Sequence, residues 1–190
     1  MSLVLRQPPS LLPLIAALAV CDVAGDDARI KWPNDVVVVQ DEATGIVLAK
    51  LAGVLTEGRP QEGWAVVGIG LNVAVRLEDL PPELRPGGAP RGLGHPAATL
   101  GLPPAGVEPM LARLLGALEV RLREHPEATL EAWRALDVLR GREIAWGPGD
   151  AATRGVAQGI DGAGRLIVEL AAGGRTTLSA GEVHLAAVAD

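Results

Sequence analysis

With 190 residues, 48% of them hydrophobic, the chain has enough apolar material for a packed core, which excludes disorder, and room for at most a medium domain plus a small one. A net charge of −6 and a pI near 5.1 exclude the basic face that a nucleic-acid surface needs. A single cysteine, Cys21, excludes an intramolecular disulfide and fits a reducing, cytoplasmic compartment; one cysteine and three scattered histidines leave no zinc-ligand spacing.

The run Ser2-Leu3-Val4-Leu5 predicts a short strand. Ser10 is placed to cap a helix from Leu11 to about Ala24, with Pro13 tolerated in its first turn. Apolar residues lie nearly all round that helix, so it should be buried. A secretory signal is the rival reading, since Arg6 precedes an apolar Leu11–Val20 core and Leu18-Ala19-Val20-Cys21 approaches a lipoprotein cleavage box. Three prolines, one positive charge and a bulky Val20 count against it. No run reaches the ~18 uninterrupted apolar residues of a membrane span.

Between Ile30 and Val73 three apolar runs, Val36–Val39, Ile46–Glu57 and Trp64–Val73, predict three strands of one sheet. Lys31, Asn34, Asp35, Lys50 and Asn72 fall inside or at the ends of these runs. Alternation puts Leu48, Lys50, Ala52 and Val54 on one face of the middle strand, so Lys50 points the way its apolar neighbours point. Two readings stand: a snorkelling lysine on an edge strand, or an ammonium aimed into a cleft and awaiting an anion. Asn34 and Asp35 follow Pro33, which sets them at a strand edge as a turn or within reach of a ligand. The chain has fifteen arginines but two lysines, Lys31 and Lys50, and both lie in this stretch.

Residues Leu77 to Pro104, rich in proline and glycine, read as a surface loop, and His95 within it carries no assignment. A helix from Glu108 to about Glu124 should bury Leu111, Leu114, Leu115, Leu118 and Leu122 and turn Arg113, Arg121 and Arg123 to water. Pro126 opens another helix bearing Leu130, Trp133 and Leu136, with Trp133 read as plain core. This pair, with Leu100, is expected across the back of the sheet. From Arg140 the pattern changes to five short strands: Gly141–Trp146, Ala152–Ile160, Arg165–Leu170, Arg175–Ser179 and Val183–Leu185. Turns at Gly147-Pro148-Gly149-Asp150, Asp161-Gly162-Ala163-Gly164 and Gly173-Gly174 separate the first four. They suggest a small barrel, with a domain boundary near Asp137–Gly141.

Lys31-Trp32-Pro33-Asn34-Asp35, then Lys50-Leu51-Ala52-Gly53-Val54-Leu55-Thr56-Glu57, then Gly68-Ile69-Gly70-Leu71-Asn72-Val73, resemble the three consecutive signatures of biotin protein ligases. Gly159-Ile160-Asp161-Gly162 followed by Gly164-Arg165-Leu166 looks like the central hairpin of the SH3-like domain that ends those enzymes. The resemblance implies an α+β fold: a mixed sheet with packed helices of the class II aminoacyl-tRNA synthetase and biotin ligase kind, followed by a small SH3-like β-barrel. Residues 1–138 would form a partial catalytic domain and residues 139–190 the barrel.

The implied reaction is the ATP-dependent activation of biotin to biotinyl-5′-adenylate, then transfer to a lysine of the biotin carboxyl carrier domain of a carboxylase. By resemblance, Lys50 touches the biotin carboxylate and α-phosphate. Asn34 and Asp35 line the ATP side, Asp35 being a candidate Mg²⁺ or general-base partner. Asn72 reads the adenine edge, and Gly53, Gly68 and Gly70 let ligand and backbone approach closely. Lys31 and Trp32 belong to the same binding set, Lys31 as a brace. Two elements of the family pattern lie upstream of these motifs, a Thr/Ser-rich strand end for the ureido ring and a glycine- and arginine-rich loop over the adenylate. Neither is found here, nor is a helix-turn-helix, so the chain resembles the rear two-thirds of a ligase, with activity expected to be impaired. The alternatives are a non-catalytic binding or carrier-docking remnant and, less well matched, a lipoate ligase relative. An unpaired sheet edge would leave room for a homodimer.

Overall fold

Helix α1 (Leu12–Ala24) is apolar on every side and, in the computed structural model of the chain, is buried along its length, with Ala16 to Val20 fully inaccessible. The structure describes residues 1–42, 45–86, 95–147, 152–181 and 183–185. Ser10 does not cap the helix. Leu11 is the N-cap, and Pro13, in the first turn, has no N–H for a capping side chain to meet. The Leu12 amide is satisfied instead by Pro9 O at 3.1 Å.

Five strands form the first sheet: β1 (Ser2–Arg6), β2 (Ala28–Lys31), β3 (Asp35–Glu42), β4 (Gly45–Arg59) and β5 (Trp64–Leu71). Their order is β1-β5-β4-β3-β2, and these strand pairings are antiparallel, where a mixed sheet was expected. Short turns from β2 through β5 permit little else, because parallel neighbours need long crossovers. Strand β2 was not among the three predicted, since four residues with two charges show no apolar run. It is fixed by its hairpin with β3, where Ile30 faces Val36 and Lys31 faces Asp35.

Helix α1 itself packs on the sheet, in the place expected for the later helix pair. Being apolar all round, it needs cover on both sides. Helix α2 (Val107–Leu122) supplies the outer cover by packing on α1 and not on the sheet. Met110, Leu114 and Leu118 are buried, whereas Leu111 and Leu115 are each 40% exposed, so the apolar stripe is narrower than predicted. Arg121 does not face water. Its guanidinium holds Asp22 of α1 at 2.6 Å and Glu124 at 3.0 Å, and the hydrogen bond it donates to Asp22 raises its pKa. Helix α3 (Pro126–Leu136) lies against α1 and β2, with Trp133 fully buried as read. Among the described residues, no helix is long and apolar enough to cross a membrane.

The second sheet comprises β6 (Glu143–Trp146), β7 (Thr153–Ile160), β8 (Leu166–Leu170), β9 (Arg175–Leu178) and β10 (Val183–Leu185), in the order β10-β6-β7-β8-β9. All five expected strands form. The turn expected at 147–150 lies mostly outside the described residues. The barrel does not close: β9 and β10 follow one another in sequence but pair at opposite edges, leaving a small open sheet among the described residues. The two sheets share one apolar cluster, in which Leu11, Leu14 and Trp32 join Ile144, Ile160 and Leu166. Trp32 Nε1 donates to Gly164 O at 3.0 Å across the junction.

Candidate active site

The second signature places a bulge in β4. Val36 faces Ala52 but Val37 faces Lys50, so Leu51 is the extra residue. A bulge breaks strict alternation and re-aims the side chains beside it. The bulge coincides with a change of neighbour on the other side of β4. Strand β5 ends at Leu71, and the segment after His95 takes its place along β4. Lys50 N–H donates to Pro96 O at 2.7 Å, and Ala98 N–H donates to Lys50 O at 2.8 Å.

The consequence falls on Lys50. Ala52 and Val54 turn into the core, so the neighbouring Gly53 opens onto the other face. A Cβ at Gly53 would stand 3.3 Å from Lys50 Cε and 3.4 Å from Lys50 Nζ. The Lys50 ammonium therefore lies on the Gly53 side, not beside Ala52 and Val54 as alternation predicts. It reaches Asp35 Oδ1 at 2.6 Å, with the lysine side chain 45% exposed and the aspartate 14%. The contact is an ion pair outside hydrogen-bond angles. No hydrogen bond among the described residues completes that buried carboxylate oxygen.

Around this pair the other motif residues divide into two kinds. Asn34 and Asn72 use their amide N–H groups on backbone carbonyls. Asn34 Nδ2 donates to Val54 O at 2.8 Å, while Asn72 Nδ2 donates to Ala98 O at 2.9 Å and Lys50 O at 3.3 Å. Asn72 thus clamps the strand at Lys50. Gly53 and Gly70 are cross-strand partners and present bare backbone. Lys31 is 1% exposed and in register with Asp35.

Two adjoining hollows meet at Lys50. One, of about 310 Å³, is lined by Lys31, Pro33, Asn34, Asp35 and Lys50, with Gly181 of the second sheet's β9–β10 connection closing one side. The other, of about 250 Å³, is lined by Lys50, Gly53, Gly70, Asn72, Leu84 and His95, among others. Trp32 and Gly68 lie outside both. Trp32 is core, and Gly68 sits between Ser2 and Leu55. A wider groove of about 630 Å³ beside Leu77 and Leu102 has Arg76 and Glu78 as its charged lining, and Arg76 is already paired with Asp79.

His95 is the site residue the sequence did not reveal. It lines the second hollow, and its Nε2 is buried without a hydrogen-bond partner among the described residues. Burial and then the nearby charge of Lys31 lower its pKa from 6.5 to about 4, so the ring is neutral at physiological pH. Nothing local in a proline-rich loop marks such a residue; only the pairing of the segment along β4 brings it in.

Residues 141–185 match the family model for the biotin protein ligase C-terminal domain. The biotin–acetyl-CoA-carboxylase ligase of Paracoccus denitrificans is 31% identical over 184 residues, an alignment covering 90% of this chain and 71% of that protein. The chain belongs to the biotin protein ligase family. The Mycobacterium tuberculosis ligase with the same substrate name is 33% identical over 187 residues, covering 92% of this chain. The chain spans 62% of that relative's length. Among solved structures, biotin protein ligase from Aquifex aeolicus in complex with biotin and ATP matches with a TM-score of 0.68 at 21% identity, covering 98% of this chain and 77% of that one. That likeness is one of fold.

Proposed function

We propose that this family member activates biotin with ATP to biotinyl-5′-adenylate and transfers the biotinyl group to a lysine of a biotin carboxyl carrier domain. The observation that carries the reading is the position of the Lys50 ammonium at the junction of two hollows, beside a carboxylate whose buried Oδ1 has no hydrogen-bond partner among the described residues. The Aquifex relative's complex with biotin and ATP supports the choice of substrates.

In the first step an oxygen of the biotin carboxylate attacks the α-phosphorus, a new P–O bond forms, and pyrophosphate leaves with the electrons of the broken one. Two anions must meet, so what this chain has to supply is positioning and positive charge. Lys50, a point charge on a flexible stem, can leave Asp35 and follow the phosphoryl oxygens as they change geometry. Asn72 and Asn34 act through backbone: the first holds the strand at Lys50 and the second holds it at Val54. Gly53 keeps clear the volume through which the Lys50 side chain reaches. Lys31 adds a second, buried cation on the opposite wall. In the second step the carrier amine attacks the anhydride carbonyl, the amide forms, and AMP departs with the electrons of the broken bond.

Among the described residues no cluster of three His, Cys, Asp or Glu converges. Asp35 alone therefore fits Mg²⁺ in the manner of ions that arrive on a nucleotide, with phosphate oxygens and waters as the remaining ligands. Such an ion would offset phosphate charge. The proposed division of labour places catalysis in residues 1–138 and a supporting module in 139–190, in a cytoplasmic enzyme with no nucleic-acid partner and an open sheet edge available for self-association.

The test is biotin-dependent ATP–pyrophosphate exchange by the 190-residue chain. Biotin-dependent exchange that is lost on Lys50→Ala is expected. Binding of carrier domain without exchange would instead favour a docking module, and exchange that survives Lys50→Ala would remove this lysine from the chemistry.

A further inference from the structure

The hollow lined by His95 contains a group that the reaction derived above leaves without work. Its floor is the facing pair Gly53 and Gly70, and a Cβ at Gly70 would find no atom nearer than Gly53 O at 4.0 Å. Packing therefore does not demand glycine at position 70. Two facing glycines in a strand interior give up side-chain contacts, and what they leave is a flat strip of backbone open to close approach. Leu84 and Ala97 add apolar walls. Of the other polar side chains here, Lys50 is paired with Asp35 and Asn72 already uses its amide N–H groups on Ala98 O and Lys50 O. His95 does not: its buried Nε2 has no partner among the described residues.

We propose that His95 recognises the purine base of the nucleotide, the flat ring lying on the Gly53–Gly70 strip while the imidazole supplies a hydrogen bond to the base edge. This rests on the nucleotide reading given above and adds to it a specificity residue outside the three signatures. A base suits the position better than a phosphate does. Lys31, Lys50 and Asp35 all line the first hollow, whereas in this one Lys50 stands only where the two meet and the rest of the wall is mostly glycine, leucine and alanine. An imidazole kept neutral by burial and by Lys31 is a poor phosphate ligand. It can, however, present either a donor or an acceptor by choice of tautomer, which matches the amino group and ring nitrogen that adjoin on an adenine edge.

The experiment compares ATP with inorganic tripolyphosphate, which carries the same anionic chain but no base, by calorimetric titration of the 190-residue chain. His95→Ala should weaken ATP about tenfold and leave tripolyphosphate within about twofold, the loss expected for one hydrogen bond and ring contact. His95→Gln, which keeps a donor and an acceptor, should restore most of the difference. Lys50→Ala should weaken both ligands. Equal weakening of both by His95→Ala, or no change in ATP binding, overturns the assignment while leaving the nucleotide reading in place. A wild-type chain that binds neither ligand overturns the nucleotide reading and this inference with it. Should His95→Ala fail to fold, the ring resonances of His95 in the wild type, assigned through His95→Gln, provide a second measurement. They should move on addition of ATP and stay unmoved with tripolyphosphate; the reverse pattern sinks the proposal.

Discussion

Asp35, Lys50 and Gly53 at the site, and Asp161, Arg165 and Gly164 in the β7–β8 turn, are the same three kinds of residue used in opposite ways. In the turn both oxygens of the carboxylate are committed. Asp161 Oδ1 accepts from the Ala163 and Arg165 amides at 2.9 Å each, and Oδ2 accepts from Arg165 Nε at 2.8 Å. Its slight burial favours the neutral acid, but the hydrogen bonds from Arg165 outweigh that and hold the carboxyl below its usual range. Gly164 has φ +76°, where a side chain is strained, and a Cβ there would stand 3.1 Å from Leu14 of α1. At the site, by contrast, Asp35 Oδ1 is ion-paired with Lys50, Gly53 makes room for a movable lysine, and neither Asp35 Oδ1 nor His95 Nε2 has a hydrogen-bond partner among the described residues. Residues that saturate one another build architecture. Residues left with unused capacity beside a hollow are placed for a ligand.

The largest break in that contrast should come from Lys50→Ala, which is expected to lower pyrophosphate exchange by about 10²–10³-fold. The same change should lower unfolding free energy by only about 1–2 kcal/mol, because the lysine half of the pair is 45% exposed while the aspartate left behind is largely buried. A parallel collapse of stability and exchange would mean that the pair is structural. Gly53→Ala sharpens the comparison. Its Cβ would meet the far end of a flexible side chain, so the fold should survive while the displaced ammonium costs about tenfold in exchange.

In the turn, Gly164→Ala should reverse the pattern, costing about 1–3 kcal/mol in denaturant unfolding from strained backbone and crowding of Leu14, with exchange by the folded fraction unchanged. His95 offers a pH test of its own. Its folded pKa of about 4 lies below the unfolded 6.5, so as pH falls the unfolded chain takes up the proton first. Stability should be whole above pH 6.5 and decline toward pH 4, by about 1–2 kcal/mol once solvent access to the ring is allowed for. His95→Gln should flatten that part of the profile; an unchanged slope would place the titration elsewhere. The smallest effect belongs to Asp161→Ala, at about 1 kcal/mol of stability for the lost turn hydrogen bonds, with no effect on nucleotide binding.

Much of the second sheet was legible because its signals are local. Asp161-Gly162-Ala163-Gly164 and Gly173-Gly174 turn the chain by their own conformational preferences, and alternating apolar residues fill the strands between them. The three signatures were legible for the same reason, and Lys50, Asp35, Asn34, Gly53, Gly70 and Asn72 do converge. What each does there was less so. Asn72 reads in sequence like a ligand-facing amide, yet its N–H groups fasten β4 at Lys50. Trp32 lies within a binding signature but anchors the junction of the two sheets through Gly164.

By itself the order of residues settled where the helices and most of the strands run and which family's motifs are present, since period, turn chemistry and composition act over a few neighbours. Which way Lys50 points was decided only in three dimensions. The bulge at Leu51 lies where a segment some forty-five residues later bonds to β4 beyond the end of β5, and the same pairing brings His95 beside the glycine strip. Closure of the small sheet was likewise a matter of which edges met. Such long-range pairings depend on the competition of whole strands for backbone hydrogen bonds, and no local pattern records its outcome.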